Sequence, residues 1–487
     1  EACKEVSRHS VARLLGIAAI ACAMLAIPVS ARKRPPELPP ATSGLIDNVN
    51  GLAQGKDGRI ERFTGLLIDK EGRVARRLAA GEARPDRLTF RMDAKGETLI
   101  PSFVAPHVRL MAAGLALITL DLSDTRSLAE AQAKIADYVR ANPSKKWILG
   151  QGWDAVRWGS GERLPTAADL DAVSPDIPAL LLSADGELGW ANSSALKLAG
   201  ASVVKATTAP MTSDTMQKVM RAAPAPLPKD RDIAFDKAQR RFVTLGYSTV
   251  TDMGATIDDW QSYRRAGDRG ALRLRIVGYA DGVSNMLTIA GPGPTPWLYD
   301  DHLKLNGVHF ALDGMRASGT AWNKAPPSGG PRIESTRLRN QMSRAAMDGF
   351  QIALATHGDA ALVEAQMAIA EIEESYGKVL RLRLENGDGP IGEATLPSSP
   401  FAALAKLMEA SPPRPALSFT TAFSAMTARP AYDAFAEQRI GSLEPGQWAD
   451  FLLVDRDITT ASPDAIAVTK ITEHWIAGKR AWREGEN

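Results

Sequence analysis

The sequence predicts an α/β protein: a (β/α) barrel over residues 100–425, with a small β-sandwich formed by the two chain ends, residues 45–99 and 426–487. Three observations carry this. Strand-like apolar runs alternate with amphipathic stretches through the middle of the chain, the pattern of parallel strands joined by crossover helices. Those runs are apolar nearly throughout, as strands buried on both faces are. Before and after them the pattern changes to short strands and turns.

The chain has 487 residues, 45% apolar and 23% charged, which is a globular composition. Its formal charge of +2 comes from dispersed basic residues, so nucleic acid is excluded and a small-molecule partner is expected. Residues 1–31 have the anatomy of an export signal. Lys4, Arg8 and Arg13 precede LLGIAAIACAMLAIPV, and Val29-Ser30-Ala31 supplies the small residues for cleavage after Ala31. The apolar run is too short to span a bilayer comfortably. The expected product is periplasmic or extracellular, with no stable membrane anchor after cleavage. Both cysteines, Cys3 and Cys22, lie in this segment, so no disulfide, thiolate nucleophile or cysteine-bound zinc is expected beyond it.

Residues 32–44, RKRPPELPPATSG, read as an extended, solvated linker. In residues 45–99, apolar runs flank Asp69-Lys70-Glu71-Gly72, a turn with Asp leading and Gly closing it. That piece is too short to form a core alone. The barrel strand candidates are LIPSFVA, ALLLSAD, YSTVTDM, LRLRIVGYA, LKLNGVHFALD, FQIALATHG and VLRLRLENG. Between them lie helices such as SLAEAQAKIADYVRAN, RDIAFDKAQRRFVTLG and ALVEAQMAIAEIEESYGK. The C-terminal runs GSLEPGQWADFLLVDRD and ITEHWIAGKRAW are again strand and turn, and are expected to complete the small sheet.

Several separated motifs share one further property. PSFVAPHVR at 101–109, WILGQGWD, SADGELGWANSSALKLAG, GYSTVTDMGA, VHFALDG, ATHGDAAL, RLEN and AFAEQRIGSLEPGQWADFLLVDRD occur in the order, and with the flavour, of the metal-dependent amidohydrolases. Within that family the chain resembles the exported branch similar to D-aminoacylases and N-substituted formamide deformylases. The resemblance implies a TIM-like barrel with its site at the C-terminal strand ends. It also implies one or two divalent ions, usually zinc, that activate water to hydrolyse a non-peptide or N-acyl C–N bond.

The motifs depart from the family where the metal should sit. The first strand usually ends D-x-H-x-H; here Ala105 stands for the aspartate, His107 for the first histidine and Arg109 for the second. The bridging-lysine position, four residues before Asp313-Gly314, holds His309. H-A-x-G-D reads Ala355-Thr356-His357-Gly358-Asp359, R-[IL]-E-H reads Arg383-Leu384-Glu385-Asn386, and D-G-H reads Asp185-Gly186-Glu187. Gly387-Asp388-Gly389-Pro390 matches the S-D-x-P of the eighth strand, yet follows the sixth directly. The barrel is therefore expected to be one strand short, and the strand carrying Asp388 stays open.

Two readings follow. In one, His107, His309 and His357, each near a strand end, hold zinc, with Asp388 or Asp313 as base. Against it, a guanidinium cannot coordinate a cation and repels one, which favours isolated, hydrogen-bonded histidines. In the other, the chain is a catalytically inactive binding protein without metal. Arg109 then pairs with Asp388, Glu187 or a ligand carboxylate, or is neutralised internally by Asp313 or Glu385. Trp153 is expected with Arg109 and Glu187 around the bound ligand.

Overall fold

The computed structural model describes residues 42–486 apart from 56, 160–162, 185, 187, 202–212, 317–318, 327, 387–398 and 411–414. The expected export signal, both cysteines and most of the expected linker lie outside the described residues. No helix among the described residues is long and apolar enough to cross a membrane.

The first strands are β1 (Thr42–Gln54), β2 (Ile60–Asp69), β3 (Val74–Leu78), β4 (Phe90–Asp93) and β5 (Thr98–Pro101). The turn between β2 and β3 is the one its residues predict. Asp69 Oδ1 accepts from the backbone N–H of Glu71 (3.0 Å) and of Arg73 (2.7 Å). Gly72 closes it at φ +89°, with the Ala477 carbonyl oxygen 2.1 Å from where a Cβ would stand, so only glycine fits.

β6 (Phe103–Val108) opens the barrel. β7 (Leu120–Asp121), β8 (Ile148–Trp153), β9 (Ala179–Ser183) and β10 (Gly189–Ala191) then form a separate sheet in the order β10-β9-β8-β7. ALLLSAD, expected among the barrel strands, is β9 of this sheet. Its apolar face packs on a cluster of Trp153, Trp158 and Trp190, and that local core draws it away from the barrel. β11 (Tyr247–Ala255), β12 (Arg275–Asp281), β13 (Leu303–Ala311), β14 (Gln351–Thr356) and β15 (Arg383–Asn386) continue the barrel. β16 (Phe451–Val454), β17 (Ile471–Ile476) and β18 (Lys479–Arg483) end the chain. β16 pairs with β5, so both chain ends share one eight-stranded sheet.

The barrel sheet has six strands in the order β15-β14-β13-β12-β11-β6, every neighbouring pair parallel. In a flat sheet its edges would lie about 24 Å apart at ~4.8 Å per step. Yet Arg383 Nη2 on β15 donates to the Pro106 carbonyl on β6 at 2.6 Å. The sheet is curled far enough for side chains to bridge its two edges. The expected seven barrel strands are corrected to six because ALLLSAD belongs to the separate sheet, and among the described residues no further strand lies between Asn386 and Phe451. Helices Pro400–Met408, Phe419–Met426 and Ala428–Asp433 take that place. Phe401 meets Phe103 edge-on at 5.1 Å, and Ala431 packs with Val104. An edge strand covered in this way offers no template for another chain.

The crossover helices follow from their stripes. Pro228–Thr244 has Pro at its first turn and buries Phe235, Ala238 and Phe242 on one face. Ile257–Asp268 starts at a capping box in which Thr256 and Asp259 bond reciprocally. At the N-terminal end of the barrel a fully buried pair ties the body to the C-terminal piece. Arg275 donates from Nε to Asp450 Oδ2 (2.9 Å) and from Nη2 to Oδ1 (3.1 Å). The Trp448 ring lies against that guanidinium, its centroid 4.6 Å from the central carbon.

Candidate functional site

Parallel strands bring their C-terminal ends to one face, and there the chain gathers His107 from β6, Asp252 from β11, His309 from β13 and Glu385 from β15. Arg383 and Glu385 share a side of β15 because alternate strand residues point the same way. Glu385 is the hub. Its Oε2 is hydrogen-bonded to His107 Nδ1, and its Oε1 accepts from Arg383 Nη2 at 2.8 Å. Burial pushes the Glu385 carboxyl up, but the His107 hydrogen bond and the charges of His107, Arg383 and His309 outweigh it and hold it at about 2. Arg383 also reaches the Tyr279 hydroxyl at 3.3 Å. The His107 and His309 rings stand edge to face, centroids 5.8 Å apart.

Behind this cluster Asp252 is buried, 2% exposed. It accepts from the Leu110 backbone N–H (2.8 Å) and from the Tyr263 hydroxyl (2.8 Å). Burial is the main cause that raises its carboxyl to about 6. Asp259 adds to the rise, while the two hydrogen bonds and Arg109 oppose it. Arg109 lies over Gly254, its guanidinium carbon 3.3 Å from where a Cβ would be. Gly254 adopts φ +86°, which favours glycine where Arg109 passes.

The remaining sequence candidates fall as follows. Asp313, expected as a base, is 2% exposed and spends its carboxylate on three backbone N–H groups. These belong to Trp322 (2.9 Å), His357 (2.9 Å) and Gly358 (2.7 Å). It anchors the backbone after β13 and β14. His357 has its Nδ1 buried without a hydrogen-bond partner among the described residues. Trp153, expected beside the ligand, is 1% exposed and donates to the Leu181 carbonyl at 2.9 Å; it is a packing residue. Asp388 and Glu187 lie outside the described residues. Arg383, Asp252 and Tyr279 were not singled out from sequence. The one available signal was the Arg-x-Glu spacing of 383 and 385 at a strand end.

The donor set among the described residues does not fit a metal. Among the described residues no group of three or more His, Cys, Asp or Glu side chains could hold a metal ion. Among those residues His107, His309 and His357 are not gathered into such a group. Glu385 and the Nδ1 face of His107 satisfy each other, and a guanidinium already occupies the other Glu385 oxygen.

Residues 91–408 and 388–481 match the amidohydrolase family. Protein LONG AFTER FAR-RED 3 of Arabidopsis thaliana is 27% identical over 311 residues, covering 56% of this chain and 52% of that protein. The N-substituted formamide deformylase of Arthrobacter pascens is 34% identical over 122 residues, 25% of this chain and 22% of that protein. The chain thus spans about half the length, or less, of these curated relatives. The crystal structure of an uncharacterized metal-dependent hydrolase from Pyrococcus horikoshii OT3 superposes with a TM-score of 0.68 at 19% identity. It covers 86% of this chain and 99% of that one, and shows that the folds agree. With the curled parallel sheet and a match over most of its length, this chain belongs to the amidohydrolase family.

Proposed function

We propose that this chain has left the family's metal-assisted hydrolysis of non-peptide or N-acyl C–N bonds and serves as an exported binding protein for a small carboxylate. One observation carries the reading: the His107–Glu385–Arg383 cluster, in which the histidine at an ancestral ligand position and the glutamate next to another such position, Asn386, satisfy each other and a guanidinium. A metal-activated water needs ligands whose lone pairs face an open position. Arg109, two residues beyond His107 at the strand ends, offers a carboxylate a forked, permanently charged donor.

Elemental analysis of the purified full chain tests the first half, alongside a hydrolysis screen of N-acyl amino acids and formamides with and without chelator. Metal well below one atom per chain and no chelator-sensitive turnover are expected. The close approach of His107 and His309 favours the rival three-histidine zinc enzyme, and stoichiometric zinc with chelator-sensitive cleavage would establish that rival. Calorimetry with acetate and N-acetyl amino acids tests the second half. Arg109→Gln is expected to weaken binding about tenfold, the equivalent of ~1.4 kcal/mol for a lost charge-assisted bond.

A further inference from the structure

At the opposite end of the barrel, Lys304 and Arg439 flank one indole. The Lys304 ammonium nitrogen lies 6.0 Å, and the Arg439 guanidinium carbon 5.6 Å, from the centroid of the Trp297 ring. Lys304 is the second residue of β13 and His309 the seventh, so the two stand about 16 Å apart along the strand at ~3.3 Å per residue. Trp297 packs against two clusters, one that includes Val104 and Ala431 and one that includes Met253, Val277 and Ala353.

The charges around this ring do not balance. Asp301 is shared: it pairs with Arg439 (3.1 Å) and Arg73 (3.2 Å) and accepts from Trp448 Nε1 (3.0 Å). Glu437 is paired with Arg381 at 2.8 Å. Lys304, Arg439, Arg73 and Arg381 thus share two carboxylates, Asp301 and Glu437. Burial, with the Arg439 charge beside it, pulls the Lys304 ammonium below its ordinary value, while Glu437 opposes them. A half-buried ammonium that shares one ring with a guanidinium costs free energy that an anion close to both would recover. The Arg439 side chain is 37% exposed, so the approach is open.

We infer that Lys304 and Arg439, set around Trp297, form a second ligand site, one for a doubly charged oxyanion of the phosphate class and separate from the strand-end histidines. The test is a titration of inorganic phosphate into the full chain at constant ionic strength, read by thermal midpoint and by tryptophan fluorescence. A saturable response is expected that chloride does not reproduce. Lys304→Gln and Arg439→Gln should each weaken it by at least about tenfold. Arg109→Gln should leave it unchanged, which separates this site from the proposed carboxylate site. A response that never saturates, that survives both substitutions, or that disappears with Arg109→Gln overturns the inference. Should Lys304→Gln fail to fold, Arg439→Gln decides alone.

Discussion

The same six strands carry an ion cluster at each end, and the two are built differently. At the N-terminal end the Arg275 and Asp450 side chains are 0% and 4% exposed and meet through two hydrogen bonds. Asp450 also accepts from the Ala477 N–H at 2.7 Å, and Arg275 from Nη1 reaches the Asp301 carbonyl at 3.1 Å. At the C-terminal end Arg383 and Glu385 are 11% and 19% exposed, and each oxygen of Glu385 has a different partner. The first cluster joins segments 175 residues apart and is sealed from water. The second faces the side where a barrel's loops converge. Identical chemistry thus serves architecture at one end, and at the other occupies ground where the family places its reaction.

The sharpest way to break that contrast is Arg275→Ala. It leaves Asp450 charged and dry, and a buried pair broken from one side costs about 3–5 kcal/mol. Urea unfolding at neutral pH should show the loss; one below about 1 kcal/mol would mean the two ends do not differ.

A smaller effect is expected from Glu385→Gln. The Glu385 carboxyl sits near 2 against an ordinary 4.5, so its contribution is present above pH 4.5 and is lost as pH falls through 2. That lowering corresponds to about 3.4 kcal/mol as an upper bound, and partial exposure together with the histidine that titrates alongside it brings the expectation to about 2. Wild type and variant should differ at pH 7 and converge under acid. A constant gap at every pH would assign the loss to packing.

Much of this was legible in the sequence, for identifiable reasons. Barrel strands announce themselves because burial on both faces leaves no polar alternation, and so YSTVTDM, LKLNGVHFALD and FQIALATHG fall within or across β11, β13 and β14. His107 and His309 were readable as neighbours because strand ends converge whatever the strand order. The His107–Glu385 bond was not. It depends on how far the sheet curls, and that is set by the helices replacing the missing strands, a tertiary fact with no local periodicity. The ALLLSAD run misled because a short apolar strand reads alike in either sheet. His474 escaped for the opposite reason. It reads as an ordinary residue of β17, yet it is buried between Ser102 Oγ (3.0 Å) and the Val243 carbonyl (2.7 Å), and burial drives it down to about 4.

The finest test concerns Asp252, whose side chain is as dry as the Asp450 pair but has no bidentate cation. Its carboxyl is raised to about 6 from an unfolded value of 3.8. The folded chain therefore holds a proton between those values that the unfolded chain has released, and stability drains away as pH rises through 6. Asn fits the same space, can accept from the Leu110 N–H, and never charges. Asp252→Asn should match wild type near pH 4 and exceed it by about 2 kcal/mol at pH 8, read from denaturation midpoints at the two values. Carboxyls with strongly raised pKa values cluster at binding and catalytic sites. A variant that is stabler at pH 8 but weaker toward carboxylates would place the retained cost at the strand ends, next to Arg109. One that is no stabler at pH 8 would make Asp252 as purely architectural as Asp450, and the contrast between the two ends would shrink to exposure alone.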